Sequence, residues 1–219
     1  PAPPPARVVG IGVAGLGRMG APMAVNLSQA GFSLMLWNRS REKATALADE
    51  IGAEVADTPR AVAEGCDIVI TMLADDDASR AVHFGEGGLF ASTGGSQVFA
   101  EMGTLSVEHV RELQASASQR LVIDAPVSGS IDAAGSAQLL IMAGTDAETG
   151  EVIRPALEAM SRQIVWLGQP GAAATMKLAV NLMIHSMNQS LSEALALAEA
   201  NGVEAALGYE VIENSAAAA

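Results

Sequence analysis

The sequence predicts an α/β protein built on a doubly wound parallel sheet, followed by a long helix that opens an all-α region. Short apolar runs alternate with helical stretches as far as Gly168. The first of these runs leads directly into glycines at the spacing of a phosphate-binding turn. Beyond Gly171 about thirty residues keep helical periodicity without an internal proline.

Each element follows from its local pattern. The apolar run Val8 to Val13 precedes an Ala/Met/Leu-rich segment, Arg18 to Gln29, whose helical spacing stops at Gly31, giving strand, turn and helix. The run Phe32 to Trp37 and the charged stretch Arg41 to Ile51 repeat that unit. Further strands are expected at Asp67 to Met72, Gln97 to Glu101, Leu121 to Asp124, Leu139 to Ala143 and Gln163 to Trp166, with helices between several of them. All are assigned to one doubly wound domain, residues 7–168. The boundary is expected at Gln169 to Gly171. Residues 171–219 read as an interdomain helix, ending near Gly202, and the truncated start of a C-terminal helical domain.

Composition narrows the possible partners. The chain has 219 residues, half of them hydrophobic, enough for a substantial core. Twenty-five acidic against twelve basic residues give a net charge of -13, which opposes binding to nucleic acid or anionic lipid. An anionic ligand must then be captured by local positive features. No apolar run approaches the ~18 residues of a membrane span, so no membrane partner is expected. The single cysteine, Cys66, cannot form an intrachain disulfide, which fits a reducing, cytoplasmic setting. Pro1 to Pro5 lack the charged and apolar regions of a signal peptide, so residues 1–6 are read as a disordered lead-in, with structure beginning near Arg7. No metal site is assigned.

Gly15-Leu16-Gly17-Arg18-Met19-Gly20 matches the dinucleotide fingerprint. Its first glycine serves a tight turn, its second close approach of a pyrophosphate, its third helix-on-strand packing. The pattern alone is weak. A strand before it and a helix after it strengthen it, because that context aims free N–H groups and the positive helix end at a phosphate. The domain is therefore read as a Rossmann unit. At the end of the next strand an NAD-selective site usually presents an acid to the ribose diol. Here the sequence is Asn38-Arg39-Ser40-Arg41-Glu42-Lys43. Arg39 can stack on adenine and pair with a 2′-phosphate, assisted by the Ser40 hydroxyl and Lys43. NADP(H) is accordingly the expected cofactor, with NAD(H) possible. The alternative is an exposed helix start carrying ordinary solvated charges.

Between Arg162 and Glu193, Lys177 is the only formal charge. Met176, Ala179, Val180, Met183, Ile184, Met187 and Leu191 cover much of this helix, which is therefore expected to pack on several sides. Lys177, Asn181, His185, Asn188 and Ser192 form one polar stripe. Such a stripe makes a poor solvent face and a good cleft wall. Partial desolvation lowers an ammonium pKa and suits Lys177 to proton exchange, while Asn181 can bond the same substrate oxygen. The alternative is a lysine snorkelling to solvent. For His185 a satisfied buried histidine is the stronger reading.

Two strand ends complete the candidate site. Asp124-Ala125-Pro126-Val127-Ser128-Gly129-Ser130 exposes N–H groups and hydroxyls suited to a carboxylate, and is equally compatible with a simple turn. Thr104, in Glu101-Met102-Gly103-Thr104, can face the nicotinamide or ribose, and Leu73, just past the strand Asp67 to Met72, is placed with the cofactor contacts.

These ordered motifs, with Ala24, Asn26 and Leu27 after the glycine turn and Gly171 through Lys177 to Asn181, resemble the β-hydroxyacid dehydrogenase family, which includes 3-hydroxyisobutyrate dehydrogenase and the glyoxylate and succinic semialdehyde reductases. The match spans nearly the whole chain. The resemblance implies that Lys177 is the catalytic lysine and Asn181 its substrate-orienting partner. Ser128 and Gly129, with Ser130 beside them, would bind a substrate carboxylate, and Thr104 would contact the cofactor. The implied chemistry is reversible hydride transfer between nicotinamide and the carbinol carbon of a small hydroxyacid, with Lys177 exchanging the proton. It also implies a homodimer through the helical region and a helical domain running past Ala219, including a further lysine on the cofactor. Family members usually carry serine at Gly103 and glycine at Ser130, Ala133 and Ala137. Imine reductases look similar but usually replace Lys177. Retention of Lys177 and Asn181 also argues against a noncatalytic scaffold.

Overall fold

The computed structural model describes residues 10–96 and 98–216. The expected lead-in, residues 1–6, lies outside the described residues. Contacts divide the chain into two compact units, one ending at Lys177 and the other beginning at Leu178.

The first unit is organised on a six-stranded parallel sheet in the order β3-β2-β1-β4-β5-β6. Its strands are β1 (Gly10–Ala14), β2 (Ser33–Trp37), β3 (Glu54–Val55), β4 (Ile68–Thr71), β5 (Val98–Glu101) and β6 (Leu121–Asp124). Helices α1 (Gly20–Gln29), α2 (Arg41–Ile51), α3 (Pro59–Gly65), α4 (Asp76–Phe84) and α5 (Val107–Ser116) alternate with them. Burial on both faces gives the strands continuous apolar runs, and their residues alternate between two cores. Ile11, Val13, Ile68, Ile70, Val98, Ala100 and Ile123 join one cluster. Ala14, Val69, Phe99 and Val122 join the other. This is the doubly wound architecture expected, in the Rossmann strand order.

The last two strand candidates depart from expectation. Instead of extending the parallel sheet, β8 (Leu139–Ala143) and β9 (Ser161–Trp166) join the unforeseen β7 (Val127–Ser128) in a separate three-stranded sheet. Pro126, which has no N–H, stands just past β6 and cannot continue a ladder. The chain then runs antiparallel to β8, with Val127 opposite Ile141 and Ser128 opposite Leu140, while β9 pairs with β8 in parallel. Between β7 and β9 lie α6 (Ile131–Gly135) and α7 (Arg154–Glu158).

A 29-residue helix, α8 (Ala172–Ala200), begins in the first unit and continues into the second. Gly202, at φ +83°, follows its end. In the second unit α9 (Ala205–Glu213) lies against this helix, Gly208 giving the close approach to Leu195 and Ala198. The expectation that α8 packs on several sides meets a different arrangement. Leu182, Met183 and Met187 are 67%, 62% and 61% exposed, because no described element covers that side. Among the described residues, no helix is long and apolar enough to cross a membrane.

Candidate functional site

Parallel register sets the site by ending the strands level. Ala14 stands opposite both Trp37 and Thr71, Thr71 opposite Glu101, and Glu101 opposite Asp124. Residues 15–20, 38–40, 72–73, 102–104 and 125–130 therefore all leave from one carboxyl edge. Chain order reverses between β1 and β4, and that crevice is where open α/β sheets hold ligands.

The glycine turn has the geometry its spacing predicts. Gly15 adopts φ +100° and donates its N–H to the Trp37 carbonyl at 3.0 Å. A Cβ on Gly20 would lie 2.0 Å from the Gly15 carbonyl oxygen, so only glycine lets α1 start this close to β1. A Cβ on Gly17 would meet nothing within 4 Å, which leaves open space at the turn's outer face. The N–H groups of Arg18 and Met19 have no acceptor among the described residues, and α1 begins without a side-chain cap. Unspent donors, a positive helix end and room beside Gly17 fit a pyrophosphate.

Asn38 ties this turn to the next one. Its Oδ1 accepts the Leu16 N–H at 2.9 Å and its Nδ2 donates to the Ser40 carbonyl at 3.0 Å. The side chain thus joins the two turns that would flank the adenosine. Arg39 is exposed and has no ion-pair partner among the described residues. Arg41, by contrast, is spent on Asp57. The Ser40 hydroxyl donates to Glu42 Oε2 at 2.9 Å, a bond that must rearrange for Ser40 to donate to a phosphate.

At the ends of β4 and β5 the chain is tightly apposed. A Cβ on Gly103 would lie 2.7 Å from the Leu73 carbonyl oxygen, so a serine at this position would force these turns apart. Thr104 is exposed beside them. Beneath, Glu101 is 2% exposed; one carboxyl oxygen accepts the Ser79 hydroxyl at 3.0 Å and the other has no hydrogen-bond partner among the described residues. Burial pushes its pKa up to about 7. His83, 3.7 Å from the same carboxyl group, is pushed down to about 4, again by burial. Sequence reading missed this pair, because nothing local to Ser79, His83 or Glu101 shows that α4 and β5 bring them together.

Asp124 was the second omission, present in a motif but given no role. It ends β6 fully buried, and its carboxylate reaches the start of α8. Oδ1 accepts the Gly171 N–H and Oδ2 the Ala174 N–H, each at 2.9 Å. Hydrogen bonds to a charged group are individually worth roughly 1.5–3 kcal/mol. In the loop that follows, Ser128 lies half-buried in β7 and Gly129 is exposed at φ +152°. The Ser130 hydroxyl caps α6 by accepting the Ala133 N–H at 3.2 Å, which leaves its proton and one lone pair for a ligand.

Lys177 stands one turn into α8. Its ammonium is half-buried and has no hydrogen-bond or ion-pair partner among the described residues, and burial lowers its pKa from the usual lysine value. Asn181, one turn further along the helix, is half-buried, while His185 is exposed rather than the satisfied buried histidine expected. No described element packs over that stretch of the helix.

Comparison with known proteins agrees with this geometry. Residues 10–168 match the NAD binding domain of 6-phosphogluconate dehydrogenase. The uncharacterized oxidoreductase YfjR of Bacillus subtilis is 41% identical over 197 residues, which cover 89% of this chain and 68% of that protein. The NAD-dependent L-serine dehydrogenase of Pseudomonas aeruginosa is 35% identical over 203 residues, covering 92% and 68%. The structure of Mycobacterium tuberculosis 3-hydroxyisobutyrate dehydrogenase with L-serine superposes with a TM-score of 0.85 at 31% identity, covering 95% of this chain and 71% of that one. The chain belongs to the β-hydroxyacid dehydrogenase family, as an NAD(P)-dependent oxidoreductase with a nucleotide-binding domain of the 6-phosphogluconate dehydrogenase type.

Proposed function

We propose that the protein interconverts a small β-hydroxyacid and the corresponding aldehyde or semialdehyde, with NADP(H) as its preferred cofactor and Lys177 as general acid and base. The observation that carries this reading is Lys177 itself, a half-buried ammonium with a lowered pKa and no partner among the described residues, the only formal charge between Gln163 and Ser192. L-serine, the compound named with two of the relatives, is itself a small β-hydroxyacid.

Residues 15–20 would hold the pyrophosphate, with Asn38 keeping their turn in place. Arg39 and Ser40 would receive a 2′-phosphate, which the lack of an acid at the end of β2 favours. Leu73 and Thr104 would line the nicotinamide side. The bound nicotinamide supplies or accepts the hydride at the substrate's carbinol carbon. In reduction Lys177 Nζ donates a proton to the oxygen as the carbonyl becomes an alcohol; in oxidation the neutral amine takes that proton back. Asn181 would orient the same oxygen, and Ser128, Gly129 and Ser130 would bind the substrate carboxylate. The working form would be a homodimer joined through the C-terminal helical region, as the exposed apolar residues of α8 suggest.

The test is turnover of the full-length protein with each cofactor on L-serine, 3-hydroxyisobutyrate, glyoxylate and succinic semialdehyde. Lys177→Ala is expected to lower kcat by roughly 10²–10⁴-fold with NADPH affinity nearly unchanged. Arg39→Ala is expected to abolish preference for NADPH over NADH. Surviving turnover in the first variant would remove Lys177 from the mechanism. An unaltered preference in the second would refute the cofactor assignment.

A further inference from the structure

We propose that Asp124 is a positioning residue that fixes the place of Lys177 by capping α8 from the end of β6; the inference rests on the reading of Lys177 given above. Gly171, at φ +80°, precedes the helix and has no side chain with which to cap it. Asp124 supplies the missing acceptors from across the fold. Its two oxygens take the Gly171 and Ala174 N–H groups, each at 2.9 Å. An anion here also sits at the positive end of a 29-residue helix.

The surroundings leave that carboxylate little freedom. Asp124 is fully buried. A Cβ on Gly144 would stand 2.0 Å from Oδ1, so glycine at that position makes room for it. The Gly144 N–H donates to the Asp124 carbonyl at 2.8 Å, holding the backbone as well. Gln114 Nε2 approaches Oδ1 at 3.5 Å from α5.

Two parts of the proposed site are thereby referred to one group. Lys177 follows Ala174 by about one helical turn, so both the rise and the rotation of its side chain are set where Asp124 holds the helix. The candidate carboxylate loop, Ser128 to Ser130, leaves β6 just after Asp124. A shift at Asp124 would move the proton donor relative to the substrate, and a misplacement near 1 Å costs on the order of 100-fold in rate.

The experiment introduces Asp124→Asn into both the wild-type and the Lys177→Ala full-length proteins, with NADPH affinity measured alongside kcat. The amide keeps the shape but can accept only one of the two N–H groups through its oxygen. With Lys177 present, kcat is expected to fall at least about tenfold, NADPH affinity to stay within about twofold, and the pH profile limb belonging to Lys177 to shift. With Lys177 already removed, Asp124→Asn is expected to cost a clearly smaller fraction of the remaining turnover, because only the neighbouring loop is left to be displaced. Unchanged kcat, or the same fractional loss in both backgrounds, would overturn the positioning role. Full activity of Lys177→Ala alone would instead overturn the reading of Lys177. Should Asp124→Asn fail to fold, Ala174→Pro tests the same contact. It deletes one donor within the first helical turn, where proline is tolerated, and the same pair of outcomes decides.

Discussion

Ala137 carries a left-handed backbone, φ +55°, at the end of α6. The Gln138 N–H reaches back to the Ala133 carbonyl at 2.8 Å, a Schellman closure in which Ala137 takes the position glycine normally fills. The left-handed conformation costs a non-glycine residue roughly 1–2 kcal/mol. Part of that is offset because alanine loses less freedom on folding than glycine would. Ala137→Gly is therefore expected to stabilise the protein by about 1 kcal/mol, raising the melting temperature by roughly 2–4 °C. A melting temperature that is unchanged or lower would show that the turn is not strained. The glycine turn shows the other side of residue-scale reading. Spacing alone gives Gly15, Gly17 and Gly20 separate tasks, and the three differ in the structure: Gly15 takes a positive φ, Gly17 has open space outside it, and Gly20 lets α1 approach β1 closely.

Between elements, the pair Glu101 and His83 joins β5 to α4 through opposite responses to pH. Glu101 has its pKa raised to about 7, so its contribution is full below the unfolded carboxyl value of 4.5 and is lost as pH rises through 7. His83 is lowered from 6.5 to about 4, so its contribution is present above 6.5 and is lost as pH falls through 4. From pH 4.5 to 6.5 the two slopes oppose and nearly cancel. Glu101→Gln removes one of them. Its stability, followed by urea unfolding, is expected to climb with pH by roughly 3 kcal/mol between 4 and 6.5, and the wild-type decline toward pH 7 should vanish. Parallel pH profiles for variant and wild type would refute the assignment. No local signal announces such a pair, since Ser79 and Glu101 meet only through tertiary packing. Asp124 is hidden for the same reason, its partners lying 47 and 50 residues away. By contrast α2 was legible to its bounds, Arg41–Ile51, because a charged amphipathic stretch ends at Gly52, which takes φ +71°. The two residues of β7 were too few to show a period, and that omission sent β8 and β9 to the wrong sheet.

At the scale of the whole molecule, the alternation of strand and helix made the parallel sheet readable. The register then brought the separate motifs to one edge without further assumption. The second unit obeys a different logic. On α8, Leu178, Leu182, Met183, Ile184 and Met187 are exposed, and at helical spacing they occupy most of the circumference left free by the polar stripe of Lys177, Asn181 and His185. Contiguous apolar surface of this kind mostly marks an interaction site. Burial of a leucine or methionine contributes about 1.5–3 kcal/mol, and a carboxylate in its place must be desolvated without a partner. The double variant Leu182→Glu/Met187→Glu is therefore expected to sediment as a monomer at concentrations where the proposed wild-type homodimer forms. NADPH affinity should be unchanged, since residues 15–20 belong to the other compact unit. A wild-type protein that sediments as a monomer, or a variant that stays dimeric, would show that these residues do not form the interface.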